Sequence, residues 1–175
     1  MDIIERVGDF LAGDENVIIH GCNAQGEMGA GAAWAVRKRL PFAYNAYRAV
    51  YFRRQSEGSE LRLGEVIWAI NVIPHRKPII VGNAITQKYY GSGSVFVDYE
   101  AVRMAIRAVN AFAQRLQNDV QIASLPPITT IAMPMIGAGH GGGSWEKIAP
   151  IIEAESLHFT PVVYRLPESP ASTGG

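Results

Sequence analysis

Two glycine-rich segments, each placed between an apolar strand-like run and a helix-like run, constrain this chain more than any other feature. The first glycine loop (residues 20–31) follows the apolar run 17–19, and the second glycine loop (residues 136–145) follows the run 130–135. Glycine lets the backbone approach a ligand closely, and free N–H groups at the start of a helix favour an anion. Together the two loops predict a site with room for two phosphates.

Length and composition indicate one globular domain over residues 1–166, followed by a flexible, polar C-terminal tail over residues 167–175. The chain has 175 residues, of which 48% are hydrophobic and 18% are charged. This composition suits a packed core and not a disordered chain. The formal net charge is +0 and there is no block of Lys and Arg. We therefore expect no extended nucleic-acid footprint.

Cysteine usage and hydropathy favour a cytoplasmic protein. The single Cys22 excludes an internal disulfide and fits a reducing compartment. The first residues lack the basic and then apolar pattern of a signal peptide. The longest apolar stretch, near residues 66–73, is interrupted by Asn71 and is too short to span a bilayer. We expect no membrane association and a monomer.

The alternation of strand-like and helix-like segments predicts an α/β sandwich with a largely parallel centre. Pro41 should end the first helix, while Asp98 and Ser144 are plausible N-caps of later helices. The predicted strands cover residues 2–7, 16–22, 64–71, 78–84, 128–135 and 160–166. The predicted helices cover residues 29–40 and 42–54, one after Asp98, and one over 145–157.

The second glycine loop also matches the Gly-x-Gly-x-x-Gly spacing of dinucleotide-binding oxidoreductases, through Gly137, Gly139 and Gly142. Against that interpretation, too little chain follows the motif to complete such a fold. A further alternative is that both loops are tight turns without a ligand. So many glycines would cost considerable entropy merely to make two turns, which favours a ligand site.

Several polar and aromatic side chains have more than one interpretation. His20 and Cys22 form either a nucleophilic pair or part of a buried strand end. Asn23 holds a ribose hydroxyl or a water, or stabilises its own turn. His140 faces either the ligand or the solvent. The aromatic cluster of the second helix, with Tyr44, Tyr47, Tyr51 and Phe52, fits core packing better than base stacking.

The spacing of the four histidines does not suggest a metal site, so we predict neither a metal nor a cofactor.

Four motifs together resemble the macro domain, an ADP-ribose-binding module. They are Gly8-Asp9-Phe10; His20-Gly-Cys-Asn23 with Met28-Gly-Ala-Gly31-Ala32; Asn83 to Gln87 with Tyr99-Glu100; and Pro134 to Glu146. The resemblance covers residues 8–166 and implies a three-layer α/β/α sandwich with a mixed, largely parallel central sheet.

The resemblance also implies which residues contact ADP-ribose. Asp9 would accept a hydrogen bond from the adenine amino group, with Phe10 contributing a neighbouring backbone N–H. The first glycine loop would lie along the distal ribose and diphosphate, through Gly21, Met28, Gly29, Ala30, Gly31 and Ala32. The second glycine loop would surround the phosphates, through Ile136, Gly137, Ala138, Gly139, His140, Gly141 and Gly142.

Within the macro domains, the His-x-Cys-Asn start is similar to the yeast- and phage-type phosphatases that act on ADP-ribose-1''-phosphate. This similarity implies hydrolysis of that phosphate ester, with His20 and Asn23 as the catalytic pair. In the terminal ADP-ribose glycohydrolase branch, a Lys nucleophile and an Asp occupy the positions of Gln87 and Gly141, and neither residue here can do that chemistry. The alternative is a reader of ADP-ribose, or a hydrolase that removes it from protein or nucleic acid.

Overall fold

The computed structural model describes residues 1–118 and 128–168, and the remainder of the expected tail, residues 169–175, lies outside the described residues. The elements follow the predicted alternation of strands and helices. In chain order they are β1 (Ile4–Val7), β2 (Val17–Asn23), α1 (Gly31–Arg39), α2 (Pro41–Ser56), β3 (Val66–Asn71), β4 (Ile79–Gln87), α3 (Tyr99–Asn118), β5 (Thr130–Pro134), α4 (Trp145–Glu155) and β6 (Thr160–Arg165).

A single mixed sheet forms the middle layer, with the strand order β1-β6-β5-β2-β4-β3. Every neighbouring pair is parallel except β3 and β4, which are antiparallel. Successive side chains of a strand point to opposite faces, so Ile18 packs with α1 and α2 while Ile19 packs with α3 and α4. The two helix pairs therefore cover opposite faces, which confirms the three-layer α/β/α sandwich with a largely parallel sheet.

Local sequence signals account for the starts of two helices, α2 and α3. The backbone N–H of Ala101 donates to Asp98 Oδ1 over 2.9 Å, so Asp98 caps α3 as predicted. Pro41 follows α1 and occupies the first turn of α2, where its missing N–H leaves no bond unmade. Ser144 precedes α4, but its side chain makes no capping hydrogen bond.

β4 is longer than predicted, and this difference bears on the site. Parallel pairing with β2 continues to the partners Asn23 and Gln87, past the end predicted for β4 at residue 84. The hydrogen bonds of the neighbouring strand carry the extended conformation beyond what the apolar pattern of β4 indicated. Thr86 and Gln87 consequently lie at the carboxyl end of the strand, beside the end of β2.

None of the helices within residues 1–118 and 128–168 is long and apolar enough to cross a membrane.

Candidate functional site at the carboxyl ends of the strands

A cavity of about 930 Å³ lies at the carboxyl ends of β2, β4, β5 and β6. α/β proteins with parallel sheets bind ligands at this end of the strands, and the volume suits a nucleotide-sized molecule. Its walls come mainly from the two glycine loops and the residues that follow β4. The lining residues are Gly21, Cys22, Asn23, Glu27, Gly29 to Ala33, Thr86, Gln87, Tyr90, Gly91, Pro134 to Gly141, and Tyr164 to Leu166.

The start of α1 offers unpaired backbone donors to this cavity. The N-cap residue Ala30 supplies no side-chain hydrogen bond, and the first turn contains no acidic residue. The first N–H of the helix with a partner in its own backbone is that of Trp34, which donates to the Ala30 carbonyl over 3.2 Å. The N–H groups of Gly31, Ala32 and Ala33 precede it, and all three residues line the cavity. An anion at this helix end would receive hydrogen bonds and the favourable end of the helix dipole.

The second glycine loop offers a further set of donors. The N–H of Gly143 donates to the Gly137 carbonyl over 2.7 Å and closes the loop at its base. Gly137 has φ 75°, in the left-handed region that favours glycine. Among the described residues, no acceptor pairs with the backbone N–H groups of Gly137, Gly139, His140 or Gly141. These residues line the cavity, and N–H groups of this kind are suited to bind an oxyanion.

The two glycine loops meet over the cavity through Gly31 and His140. Gly31 has φ 58°, and a Cβ atom there would lie 2.7 Å from His140 Cδ2. The absence of a side chain at residue 31 thus lets the exposed His140 ring lie beside the start of α1. His140 lines the cavity and is also exposed to solvent, so both alternatives of its sequence interpretation stay open.

His20 is placed differently from the sequence expectation, because its side chain is fully buried and does not line the cavity. Its Nε2 lies 2.7 Å from Asn83 Oδ1. The Asn83 amide group donates to the carbonyls of Ala43 and Ile67, so its oxygen must accept, and His20 Nε2 carries the proton. Burial lowers the pKa of His20 to about 4. His20 therefore does not serve as a general acid at the ligand.

The same burial argues against a Cys–His nucleophile. Cys22 Sγ lies 3.6 Å from His20 Nε2, but burial raises the pKa of the thiol. A neutral imidazole whose pKa lies near 4 cannot hold a thiolate as an ion pair, so Cys22 contributes a small buried side chain to the cavity wall.

Asn23 lines the cavity, but its amide holds the first glycine loop together. Its Nδ2 donates to the Glu27 carbonyl over 2.8 Å, and its Oδ1 accepts from the backbone N–H of Gln25 over 2.9 Å. The Tyr47 hydroxyl adds a bond of 3.0 Å to the same oxygen. These contacts match the turn-stabilising alternative for Asn23. They occupy the amide oxygen and one of the two Nδ2 hydrogens, and the amide has no proton to exchange.

Four predicted ligand residues do not line the cavity: Asp9, Phe10, Met28 and Gly142. The Asp9 carboxylate accepts from the backbone N–H of Leu11 and pairs with Arg39. Burial raises the pKa of Asp9, but these two partners outweigh it and the net shift is downward. Phe10 and Met28 are core residues. Gly142 lies in an adjoining shallow depression with residues 91–95, because the loop has turned away from the cavity there.

Sequence reasoning missed several cavity residues, including Glu27, Thr86 and Tyr90. Glu27 lies inside the first glycine loop, and its acidic side chain in an otherwise uncharged loop was the available signal. Its carboxylate is 45% exposed and lies 3.5 Å from Arg48 Nη1. Thr86 lies in the Asn83–Gln87 motif of the resemblance, but its place at the cavity depends on the pairing of β4 with β2. Tyr90 follows β4 and had no local signal. Gln87 also lines the cavity, where its amide donates to the Tyr89 carbonyl over 2.7 Å.

Within residues 1–118 and 128–168, no group of three or more His, Cys, Asp or Glu side chains is arranged to hold a metal ion.

No protein-family model matches the chain. Among curated proteins, it is similar to the DNA ADP-ribosyl glycohydrolases of Mycobacterium tuberculosis and Mycobacterium bovis, with 24% identity over 143 residues. That similarity covers 81% of this chain and 35% of each relative, so the chain spans about a third of the length of the curated relatives it matches.

Solved structures share the whole architecture. A protein from Bacteroides thetaiotaomicron is 30% identical with a TM-score of 0.73, over 94% of this chain and 98% of the other. A macrodomain protein from Streptomyces coelicolor is 28% identical with a TM-score of 0.69, over 94% and 99%. The macrodomain of Thermus aquaticus DarG is 22% identical with a TM-score of 0.73, over 93% and 97%. The glycine loops, the cavity and these likenesses together show that this chain has the macrodomain fold.

Proposed function

We propose that this chain binds ADP-ribose in the cavity and hydrolyses the bond to a group attached at the 1'' position of the distal ribose. The observation that carries the proposal is the pair of glycine loops, whose residues line one cavity and have backbone N–H groups without a partner among the described residues. A diphosphate would accept hydrogen bonds from the N–H groups of both loops. The sheet order also differs from the doubly wound order of dinucleotide oxidoreductases, so the spacing of Gly137, Gly139 and Gly142 does not favour that class.

The ligand would lie across the strand ends, with its diphosphate between α1 and the second glycine loop. The adenine would lie toward the ends of β6 and β1, where the N–H of Gly8 donates to the Arg165 carbonyl over 2.8 Å. Asp9 follows directly, and its carboxylate still has free lone pairs for an adenine amino group. Phe10 would contribute its backbone N–H, because its side chain is in the core. The distal ribose would then lie along Asn23 and Glu27.

Glu27 and His140 are the groups in the two glycine loops that can exchange a proton at this position. In the proposed reaction Glu27 accepts a proton from the attacking water, and His140 protonates the leaving group. With a phosphate ester, water attacks phosphorus, and ADP-ribose and inorganic phosphate are released. With an ADP-ribosylated macromolecule, water attacks C1'', and ADP-ribose and the unmodified acceptor are released. The unpaired loop amides would stabilise charge on the phosphate oxygens.

Two leaving groups are candidates. The resemblance of the His20-Gly-Cys-Asn23 motif to the phosphatase branch favours the phosphate ester of ADP-ribose-1''-phosphate. The name of the curated relatives, DNA ADP-ribosyl glycohydrolase, favours ADP-ribose attached to a nucleic acid. Gln87 and Gly141 provide neither a lysine nor an aspartate, so neither reaction would use a lysyl adduct.

Calorimetry with ADP-ribose, followed by turnover of ADP-ribose-1''-phosphate, ADP-ribosylated DNA and ADP-ribosylated protein, tests the proposal. Glu27→Gln should lower turnover about a hundredfold, the usual worth of general base help, while ADP-ribose still binds. Glu57→Gln, an exposed substitution outside the cavity, is the matched control. Absence of ADP-ribose binding at millimolar concentration would overturn the binding proposal. Full activity of Glu27→Gln would remove Glu27 from the reaction.

A further inference from the structure

The positive charge of this neutral chain is concentrated on the helix pair α1–α2. No Asp or Glu occurs from residue 28 to residue 56, whereas the same stretch contains Arg37, Lys38, Arg39, Arg48, Arg53 and Arg54. The acidic residues that balance the formal net charge of +0 lie elsewhere in the chain. The helix pair α1–α2 therefore has a basic character that the overall composition conceals.

Aromatic rings alternate with the cations on this face. Trp34 is 47% exposed and Phe52 is 55% exposed, which is unusual for rings of this size. Lys38 Nζ lies 4.6 Å from the centre of the Trp34 ring, and Arg48 Cζ lies 4.4 Å from that of Phe52. Arg37 Cζ, on α1, lies 4.5 Å from the ring centre of Tyr44 on α2. Arg37 thus connects the two helices, and the six cations of α1 and α2 together with Trp34, Tyr44 and Phe52 are called here the α1–α2 surface.

Some of the cations of the α1–α2 surface are paired with carboxylates and some are not. Arg39 pairs with Asp9, Arg48 with Glu27 and Arg54 with Glu65. In the part of the chain that the structure describes, Arg37, Lys38 and Arg53 have no carboxylate partner, and all three are exposed. These three cations are available to bind an external anion, and so few charges suit a small binding site and not an extended one.

The α1–α2 surface begins at the rim of the cavity. At one end, the cavity residue Ala33 directly precedes Trp34 on α1. At the other, Arg48 Nη1 donates to the Gly26 carbonyl over 2.8 Å, and the next residue, Glu27, lines the cavity. A polymer that lies on this surface can therefore present a covalently attached group to the cavity.

We propose that the α1–α2 surface binds single-stranded nucleic acid, so that the cavity receives ADP-ribose carried on such a strand. The delivery of ADP-ribose to the cavity rests on the proposed function, whereas the binding of single-stranded nucleic acid does not. Unpaired cations would contact phosphates, and exposed rings beside them would stack on unpaired bases. An acidic peptide would use the cations and leave Trp34 and Phe52 without partners. A duplex would offer no free base faces, so the rings favour a single strand.

Fluorescence anisotropy with a labelled oligothymidine of about 12 nucleotides, over about 50–200 mM salt, tests the surface directly. Three phosphate contacts predict a slope of log affinity against log salt of about −2. The double substitution Arg37→Glu and Lys38→Glu should weaken binding about tenfold or more and bring the slope to about −0.7 or flatter. Trp34→Ala should weaken binding about fivefold to a hundredfold through lost stacking.

The matched control is the double substitution Arg76→Glu and Lys77→Glu, which changes net charge equally. These residues lie in the β3–β4 connection, at the other end of the strands from the cavity. Their substitution should leave oligonucleotide binding unchanged. Equal weakening by both double variants would overturn the proposal, as would competition by polyglutamate as effective as that by unlabelled oligothymidine. So would duplex binding as tight as single-strand binding and insensitive to Trp34→Ala.

Calorimetry with free ADP-ribose on each variant confirms folding and tests the cavity separately. Oligonucleotide binding without ADP-ribose binding would overturn the proposed function and leave the surface standing. ADP-ribose binding with no oligonucleotide binding at about 100 µM protein would overturn the proposed role of the α1–α2 surface and would not affect the proposed function of the cavity.

Discussion

The two glycine loops surround the same cavity but are held in place in different ways. Side chains from outside hold the first glycine loop: the Tyr47 hydroxyl donates to the Asn23 carbonyl over 2.7 Å, and Arg48 bonds to Gly26. Backbone bonds hold the second glycine loop: the N–H of Gly143 donates to the Gly137 carbonyl within the loop, and the Gly141 carbonyl accepts from the N–H groups of Phe96 and Val97 outside it. The first should therefore be sensitive to changes in its neighbours, and the second to an atom added where its backbone segments lie close together.

The largest effect should come from adding one carbon to the second glycine loop. A Cβ atom at Gly141 would lie 2.7 Å from the Gly137 carbonyl oxygen, whereas one at Gly139 would meet nothing within 4 Å. Gly141→Ala should displace the loop and remove at least two of the hydrogen bonds that the proposed function assigns to the diphosphate, each worth about 1.5–3 kcal/mol. Calorimetry should show ADP-ribose affinity reduced a hundredfold or more, with Gly139→Ala close to wild type. Similar affinities for the two variants would contradict the close backbone approach of Gly141 to Gly137.

The next effect concerns His20, which supports the strand that leads into the first glycine loop. Its pKa is about 4 in the folded protein and 6.5 in the unfolded chain. Because the unfolded state binds the proton more readily, stability is fully present above about pH 6.5 and falls as the pH drops toward 4, by about 3 kcal/mol.

Urea unfolding at pH 7, 5.5 and 4.5 measures this loss. His20→Gln should be less stable at pH 7 and should lack this part of the pH dependence. If both proteins lose the same stability between pH 7 and pH 4.5, His20 is not the buried neutral group described above.

A smaller effect is expected from the hydrogen bonds of the first glycine loop. Asn23→Ala removes the amide that bonds to Gln25, Glu27 and Tyr47, and should lower the free energy of unfolding by about 1–3 kcal/mol. Tyr47→Phe keeps the ring in the core and removes only the hydroxyl, so it should cost about 1 kcal/mol. Denaturant unfolding of the two variants compares these losses. A larger loss for Tyr47→Phe than for Asn23→Ala would reverse the assigned importance of the two side chains.

The smallest effect should be that of Gly29→Ala. A Cβ atom at Gly29 meets nothing within 4 Å, and the residue does not have a positive φ. At Gly31 the same atom would meet the His140 ring, so Gly31→Ala should weaken ADP-ribose binding more than Gly29→Ala does. Gly31 also has φ 58°, which strains an alanine, so calorimetry on this pair tests the strain and the contact with His140 together, and equal affinities would contradict both.

The sequence alone predicted much of the architecture because its signals are local. Buried strands appear as apolar runs, Asp98 is a good cap where it stands, and a glycine-rich segment after a strand needs no distant partner to be recognised. The position of the cavity at the carboxyl ends of the parallel strands also agrees with the general rule for such sheets. The ligand and the reaction came instead from the resemblance of the motifs to macro domains, and they stay predictions.

Only the tertiary structure decided which side chains face the cavity. His20 pairs in register with Asn83, which lies 63 residues away in the chain, and that pairing places its imidazole inside the protein. Conversely, the pairing of β4 with β2 brings Thr86 and Gln87 to the cavity wall. The basic character of the α1–α2 surface likewise depends on which carboxylates fold beside it. A strand's own pattern determines that its side chains alternate, but the face that becomes buried, and the partner it meets there, depend on contacts between residues far apart in sequence.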